Sequence, residues 1–512
     1  VKILFFARHY TYLRNFESVL AGLARNGHQI HVAVEQEEAF GGSSIVERLA
    51  GEFPGQITAG LAPKPMSREY TLGTRLRFGI DYLRYLSPPY EKMPRLGLRA
   101  RNRAPVGVLW LTERWPFGTA SGRRFLARWL AAVERGLPPQ GEILEFLDAQ
   151  KPDVVLFTPL IGVVASPQPD YLRAAMARRL PTALCVWSWD HLSSKALIRT
   201  VPDRILVWNP IQQREATALH KVPAERVVVT GAQCFDQWFD RQPSRSRTEF
   251  CQRVGLRDDR PFLLWVCSSL FKGSPPEAGF VMRWIRELRE SAYPELRDAN
   301  ILVRPHPARF PEWEGVDVSS EPGVALWGSN PIDVESRSDY FDSLHYSAGV
   351  VGLNTSAFIE GAIAGRPAFT ILLPEYFENQ EGTIHFHYLF DGETGLLHGA
   401  RTFADHATQL AATLRGDVDG RRSATFVSTF VRPHGVSYAA TPFVVGAIQQ
   451  LPVIAQRRKP ARQRLLTRLA VRVFLALAMT RVGWLLSYDA AGAAKERRKH
   501  AERGKARLTP TV

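Results

Sequence analysis

Short unbroken apolar runs recur along this chain, and between them apolar residues return at every third or fourth position. Lys2 to Ala7 is the first run. The loop Arg8-His9-Tyr10-Thr11 follows, then a stretch with Phe16, Val19, Leu20 and Leu23 on one helical face, the stop Asn26-Gly27-His28, and a second run, Gln29 to Val34. A run without polar alternation predicts a strand covered on both faces, and a helix between two such strands predicts a parallel βαβ unit. The alternation resumes at Asp153 to Phe157 and continues through Thr182 to Trp187, Arg204 to Trp208 and Arg226 to Thr230. After the polar residues 242–259 it starts again, with Pro261 to Cys267, Ile301 to Val303, Val324 to Leu326, Ala348 to Leu353 and Ala368 to Leu373. The pattern predicts an α/β protein of two Rossmann-like domains facing across a cleft, residues 1–241 and 260–451, with 242–259 as a linker or connecting helix.

Residues 348 to 382 organise the second domain. Ala348 to Leu353 reads as a buried strand, Asn354-Thr355-Ser356 as a bend and Ala357 to Ala364 as a short helix stopped by Gly365. The first backbone N–H groups of a helix lack intrahelical partners, so the bend offers a seat for an anion. Glu360, one turn on, can accept hydrogen bonds from a ribose beside that anion. Equally, Thr355 or Ser356 caps the helix and Glu360 is a solvated first-turn acid. Loops leaving the carboxyl ends of parallel strands line the ligand crevice. By that rule Ser188 to Lys195 offers Asp190 and His191 for proton transfer, and Ser268-Ser269 and Arg304-Pro305-His306-Pro307 join the bend. No Gly-x-Gly-x-x-Gly follows the first strand, which disfavours a nicotinamide or flavin dinucleotide.

The 512 residues carry a formal net charge of +15, and its location matters more than its size. Residues 64–128 hold 14 Lys and Arg against 4 acids, and residues 457–512 hold 15 against 3, so the remainder is mildly acidic. In the first segment, a basic insertion, Leu76, Ile80, Leu83 and Leu86 recur at helical spacing among Arg75, Arg77, Arg84, Phe78, Tyr82, Tyr85 and Tyr90. Such a helix lies on anionic lipid, grips an acidic acceptor, or packs on its own domain. In the second, Arg464, Arg468 and Arg472 share one helical face beside Leu465, Leu469, Val473 and Trp484. It is too charged to span a bilayer and predicts a basic amphipathic helical tail, residues 452–512, along an anionic membrane surface, with a docking helix for a protein partner as the alternative. Neither segment carries a nucleic-acid-binding motif, so no nucleic-acid partner is expected. Four cysteines without metal or redox spacing, and no secretory signal at the start, predict a reduced, cytoplasmic protein peripherally associated with the inner face of the membrane.

The stretch around Glu360 resembles the nucleotide-binding region of GT-B glycosyltransferases. There a turn with small hydroxyl residues precedes a ribose-binding Glu, a Gly-x-Pro, a Pro and an acidic-Gln pair at the donor sugar. This chain has Thr355 and Ser356, Glu360, Gly365-Arg366-Pro367, Pro374 and Glu378-Asn379-Gln380, without the His-Cys-Gly start of that signature. Arg304-Pro305-His306-Pro307 with Thr355-Ser356 is similar to the CDP-glycerol glycerophosphotransferase and capsule-polymer branch, in which basic residues meet the donor phosphates. The resemblance implies GT-B architecture and a metal-independent transferase without cofactor, moving a sugar or polyol phosphate from a nucleotide donor to a lipid-linked or cell-surface glycan acceptor. It implies a donor nucleotide site of Ser268, Ser269, Arg304, His306, Asn354, Thr355, Ser356 and Glu360, and donor-sugar contacts from Gln380 and Glu381. The base, His9 or Asp190, comes from the opposite domain, to which a helix from Pro442 to Leu451 returns. His385 and His387 lack a third ligand that would make a metal site. A nucleotide-sugar 2-epimerase and a catalytically silent scaffold in polysaccharide assembly are the alternatives.

Overall fold

The computed structural model describes residues 1–36, 41–318, 320–390, 392, 394–455 and 465–495. Its first sheet has seven parallel strands: β1 (Lys2–Ala7), β2 (Gln29–Val34), β3 (Ile57–Leu61), β4 (Val154–Thr158), β5 (Thr182–Cys185), β6 (Arg204–Val207) and β7 (Val227–Val229). Their order is β3-β2-β1-β4-β5-β6-β7. The second sheet holds β8 (Phe262–Val266), β9 (Asn300–Arg304), β10 (Val324–Leu326), β11 (Gly349–Val351), β12 (Ala368–Ile371) and β13 (Leu397–Ala400), in the order β10-β9-β8-β11-β12-β13. All neighbours run parallel, so each sheet reverses its winding once, between β1 and β4 and between β8 and β11. A crevice opens at the carboxyl ends of the strands at such a switch point.

Burial explains why these segments are strands. Every residue of β4 and β8 is buried, because helices cover both sheet faces. β3 and β13 lie at sheet edges and outside the predicted runs; in β3 only Ile57 is buried. The short helix Ala357–Ile363 lies close on β11, since a Cβ on Gly361 would sit 2.7 Å from a methyl of Val350.

The linker is a helix, Arg247–Val254, begun by a reciprocal Ser246–Glu249 cap, with Phe250 and Cys251 buried against the second lobe. The helix Thr441–Gln449 returns to the first lobe, where Val444, Val445 and Ile448 join its core. Asp236 anchors that return: it accepts the N–H groups of Ala440 and Thr441, the Thr441 hydroxyl and the Arg432 guanidinium.

The insertion folds into the helices Arg68–Tyr85, Pro94–Arg101, Val106–Thr112 and Ala120–Gly136. Arg68–Tyr85 is not a lipid-facing helix. Its Leu72, Leu76 and Ile80 form a small core with Leu126 and Leu130, and Arg77 is buried between Asp170, at 2.7 Å, and Glu134, at 2.9 Å. Nor is the described tail a free arm. The helices Leu465–Ala478 and Arg481–Leu486 pack on the insertion, with Phe474 edge-on to Trp129 and Arg75 stacked 3.6 Å above Tyr488. Arg464 and the cationic cluster after Lys495 lie outside the described residues. No described helix is long and apolar enough to cross a membrane.

Candidate functional site

The two lobes meet at the carboxyl ends of their sheets. His385 of the second lobe stands edge-on to Trp189 of the first at 4.7 Å, and the Tyr388 hydroxyl donates to Glu215 at 2.9 Å. The bend Asn354-Thr355-Ser356 lies on this boundary. Its Asn354 N–H donates to Ser268 Oγ at 3.0 Å, tying the end of β11 to the end of β8 at the switch point. The Asn354 side-chain amide donates to the Asn379 carbonyl and faces His385 Nε2. Asn379 in turn accepts the Phe271 N–H and donates to Ser274. Two loops of the second lobe, those after β8 and β12, are thereby joined around the bend. Thr355 is half-buried, Ser356 and Ser269 are exposed, and neither Thr355 nor Ser356 makes a strong helix cap.

Glu360 accepts a hydrogen bond from the Tyr340 hydroxyl. Burial pushes its carboxyl pKa up, against the opposing pull of that bond and of Arg14. Arg304 stands behind this pair, its guanidinium 5.1 Å from the centre of the Tyr340 ring. The expectation that Arg304 touches donor phosphates needs correcting. The residue is 4% exposed and Gly328, at φ +126°, lays its backbone against the guanidinium, where a Cβ would approach to 2.6 Å. An exposed cation here is Arg14, from the turn after β1, whose charge is felt by Glu360, Tyr340 and His306. His306 is half-buried and accepts the Ala308 N–H, opening the turn after β9.

The donor-sugar pair is also displaced from its expected role. Gln380 is buried and spends its side-chain N–H groups on Leu353 O, Ile371 O and the Thr370 hydroxyl, bracing β11 against β12. Glu381 accepts from both terminal guanidinium nitrogens of Arg401, beyond the end of β13. A Gln that meets three inward acceptors has no amide hydrogen left for a sugar.

In the first lobe, His9 starts the turn after β1 and lies edge-on to Tyr12 at 4.7 Å, and Tyr12 lies against Trp187. Tyr12 also feels the charge of Asp190, so His9 and Asp190 fall on the same side of the cleft. Burial would raise the Asp190 pKa, but Lys195 at 2.7 Å, His385 and a hydrogen bond from Ser188 outweigh it, and the carboxyl is held far below its usual range. A carboxylate so stabilised is a weak proton acceptor; Asp190 acts as the counter-ion of Lys195. His191 is fully buried, its pKa lowered to about 4 chiefly by desolvation, and packs inside the lobe. The insertion fixes this loop from behind: Arg84 and Tyr85 both donate to the Lys195 carbonyl. Arg14 and Tyr340 were not legible as site residues, because each acts on Glu360 from a distance along the chain; Lys195 closes the loop Ser188 to Lys195, and its contact with Asp190 shows its role. Among the described residues no group of three potential ligands is placed to hold a metal ion.

No family model and no curated protein matches the chain. Solved structures do. A glycosyltransferase from Rickettsia africae ESF-5 superposes with a TM-score of 0.50 at 10% identity, covering 90% of this chain and 99% of that one. A putative UDP-N-acetylglucosamine 2-epimerase from Listeria monocytogenes gives 0.50 at 12%, covering 91% and 99%. At this identity the likeness is one of fold, and the fold is the two-lobe GT-B architecture.

Proposed function

We propose that this protein is a glycosyltransferase that carries a sugar, or a polyol phosphate, from a nucleotide donor on its second lobe to a lipid-linked or surface-glycan acceptor on its first. The observation that carries the reading is the Asn354-Thr355-Ser356 bend: it sits at a switch point, joined to Ser268 and Asn379, with Glu360 one turn along and Arg14 reaching from the opposite lobe. In this reading the bend and Arg14 meet the diphosphate, whose negative charge grows as the bond to the sugar breaks or, for a polyol phosphate, as the link between its two phosphates breaks and the nucleoside monophosphate leaves. Glu360, oriented by Tyr340, accepts the ribose hydroxyls. His9 removes the acceptor proton, since Lys195 leaves Asp190 too weak a base. The diphosphate charge is then met by protein groups, without a metal ion.

The membrane part of the reading rests on the insertion and the tail. They pack together and still expose Trp110, Trp115, Phe125, Val473, Leu477 and Val482. Large apolar side chains among arginines suit the interface of an anionic bilayer. An enzyme acting on free nucleotide sugar, such as a 2-epimerase, has no need of that surface.

Calorimetric titration with UDP, CDP, GDP, dTDP and ADP tests the donor site. One nucleotide is expected to bind, and Glu360→Ala is expected to weaken it about tenfold. Binding of none sinks the proposal in favour of a silent scaffold. Conversion of a free nucleotide sugar to its 2-epimer, without acceptor, sinks it in favour of the epimerase.

A further inference from the structure

We infer that the insertion clamps the two lobes together, and that Arg95 and Leu96, on its helix Pro94–Arg101, are positioning residues for the Asn354-Thr355-Ser356 bend. The helix belongs to the first lobe and touches both. On the first-lobe side Arg99 donates to the Ser194 carbonyl, next to the Lys195 carbonyl that Arg84 and Tyr85 hold. On the other side Arg95 pairs with Glu378, in the turn Pro374–Asn379 after β12. Arg95 Nη1 also stands 3.7 Å from where a Cβ on Gly273 would be, so the guanidinium lies along the loop after β8 as well.

An apolar contact runs beside these polar ones. Met93 and Leu96 are buried in a small cluster with Tyr85 and Tyr90. Two residues of the second lobe pack against that cluster: Phe271, from the loop after β8, and Ile384, which opens the helix Ile384–Phe390. A partly exposed ion pair contributes little free energy by itself, whereas buried apolar area resists separation. Leu96 therefore supplies most of the hold, and Arg95 fixes which part of the second lobe is held.

The parts held are the ones that hold the bend. Phe271 donates its N–H to Asn379 Oδ1 at 2.8 Å, and Asn379, the neighbour of Glu378 in the chain, takes the Asn354 side-chain amide on its carbonyl. Ile384 precedes His385, whose ring faces that same amide. Lys195, the counter-ion of Asp190, is tied to the same insertion, so the loops on both sides of the cleft are set by one element. A ligand that needs the bend in place binds more tightly when its loops are already ordered. The nucleotide as that ligand rests on the transferase reading; the clamp does not.

Amide hydrogen exchange of the full chain, free of nucleotide, tests the clamp. Leu96→Ala is expected to speed exchange at least about tenfold over residues 268–274 and 377–384, with β1 and β4 unchanged, and Arg95→Ala by a smaller factor. If Leu96→Ala does not fold, Met93→Ala carries the same expectation. Calorimetry with whichever of UDP, CDP, GDP, dTDP and ADP binds the parent then reads the positioning. Leu96→Ala is expected to weaken that nucleotide at least about fivefold, and Arg95→Glu about threefold, with Glu378→Arg in the same chain restoring most of what Arg95→Glu loses. Unchanged exchange in both loops of the folded variants overturns the clamp. Faster exchange with unchanged nucleotide affinity, or no recovery on charge reversal, overturns the positioning role. If no nucleotide binds the parent, the transferase reading fails, and the exchange measurement still decides whether the insertion holds the bend.

Discussion

Two arginines stand near Glu360, one turn past the Asn354-Thr355-Ser356 bend, and solvation divides their work. Arg304 is sealed under Gly328 and against Tyr340, so its positive charge acts by steadying the tyrosine that holds Glu360. Arg14 is exposed and faces the same carboxylate from the other lobe. Arg14→Ala is therefore expected to weaken a nucleoside diphosphate about tenfold while leaving the parent nucleoside unchanged, by calorimetry. Equal losses for both would show that Arg14 shapes the lobe rather than meeting phosphate. A second residue-scale prediction concerns Glu35, whose folded pKa of about 7 lies above the ordinary 4.5 because of burial. Between those values the folded protein keeps a proton that the unfolded chain has released, so this group's contribution to stability falls as pH rises through the window. Glu35→Gln does not titrate. Its unfolding free energy relative to the parent should rise by about 1–3 kcal/mol between about pH 4.5 and pH 8, read by denaturant unfolding at each pH. A difference that does not move with pH would mean that the carboxyl is solvated.

At the scale of elements, the first and second sheets were legible wherever strands are covered on both faces, because burial there demands unbroken apolar runs such as those of β4 and β8. β3, Ile-Thr-Ala-Gly-Leu, and β13, Leu-His-Gly-Ala, escaped detection because edge strands need less burial and tolerate glycine. The bend itself was readable from strand, hydroxyl residues and glycine stop. The fates of Arg304 and Gln380 were not, since a side chain at a carboxyl strand end can turn into the cleft or under it, and distant residues decide which. Asp236 is the sharpest case: nothing in Phe-Asp-Gln-Trp announces a group that ties the returning helix Thr441–Gln449 to the first lobe. Asp236→Ala strands a buried guanidinium, Arg432, and removes acceptors from two backbone N–H groups. A loss of about 3–5 kcal/mol in unfolding free energy is expected, with Asp236→Asn intermediate. A loss below about 1 kcal/mol would mean that the helix holds its place by apolar packing alone.

For the whole molecule, the question is what the insertion and tail do together, since neither belongs to the two sheets. Their shared core turns Leu72, Leu76, Ile80 and Leu126 inward, and Arg77 pins the assembly to Asp170 of the first lobe. What remains outward is aromatic and basic: Trp115 is 87% exposed and Phe125 62%, with Arg114 stacked on Trp110. Water-exposed rings of this size cost free energy that an interfacial lipid layer returns, and each nearby arginine adds about 1 kcal/mol at an anionic surface. If the surface docks on a bilayer, Trp115→Glu with Phe125→Glu should lower binding to phosphatidylglycerol vesicles at least about tenfold, leaving nucleotide affinity and unfolding midpoint unchanged. Parent binding should also weaken with added salt, because the arginine contribution is screened over a Debye length of about 10 Å at 0.1 M. Vesicle binding that survives both the double substitution and high salt would assign membrane contact to another face. Equal binding to neutral phosphatidylcholine would remove the charge from the argument. The same pair of measurements separates lipid from a protein partner, which would leave vesicles unbound while the rings stay exposed.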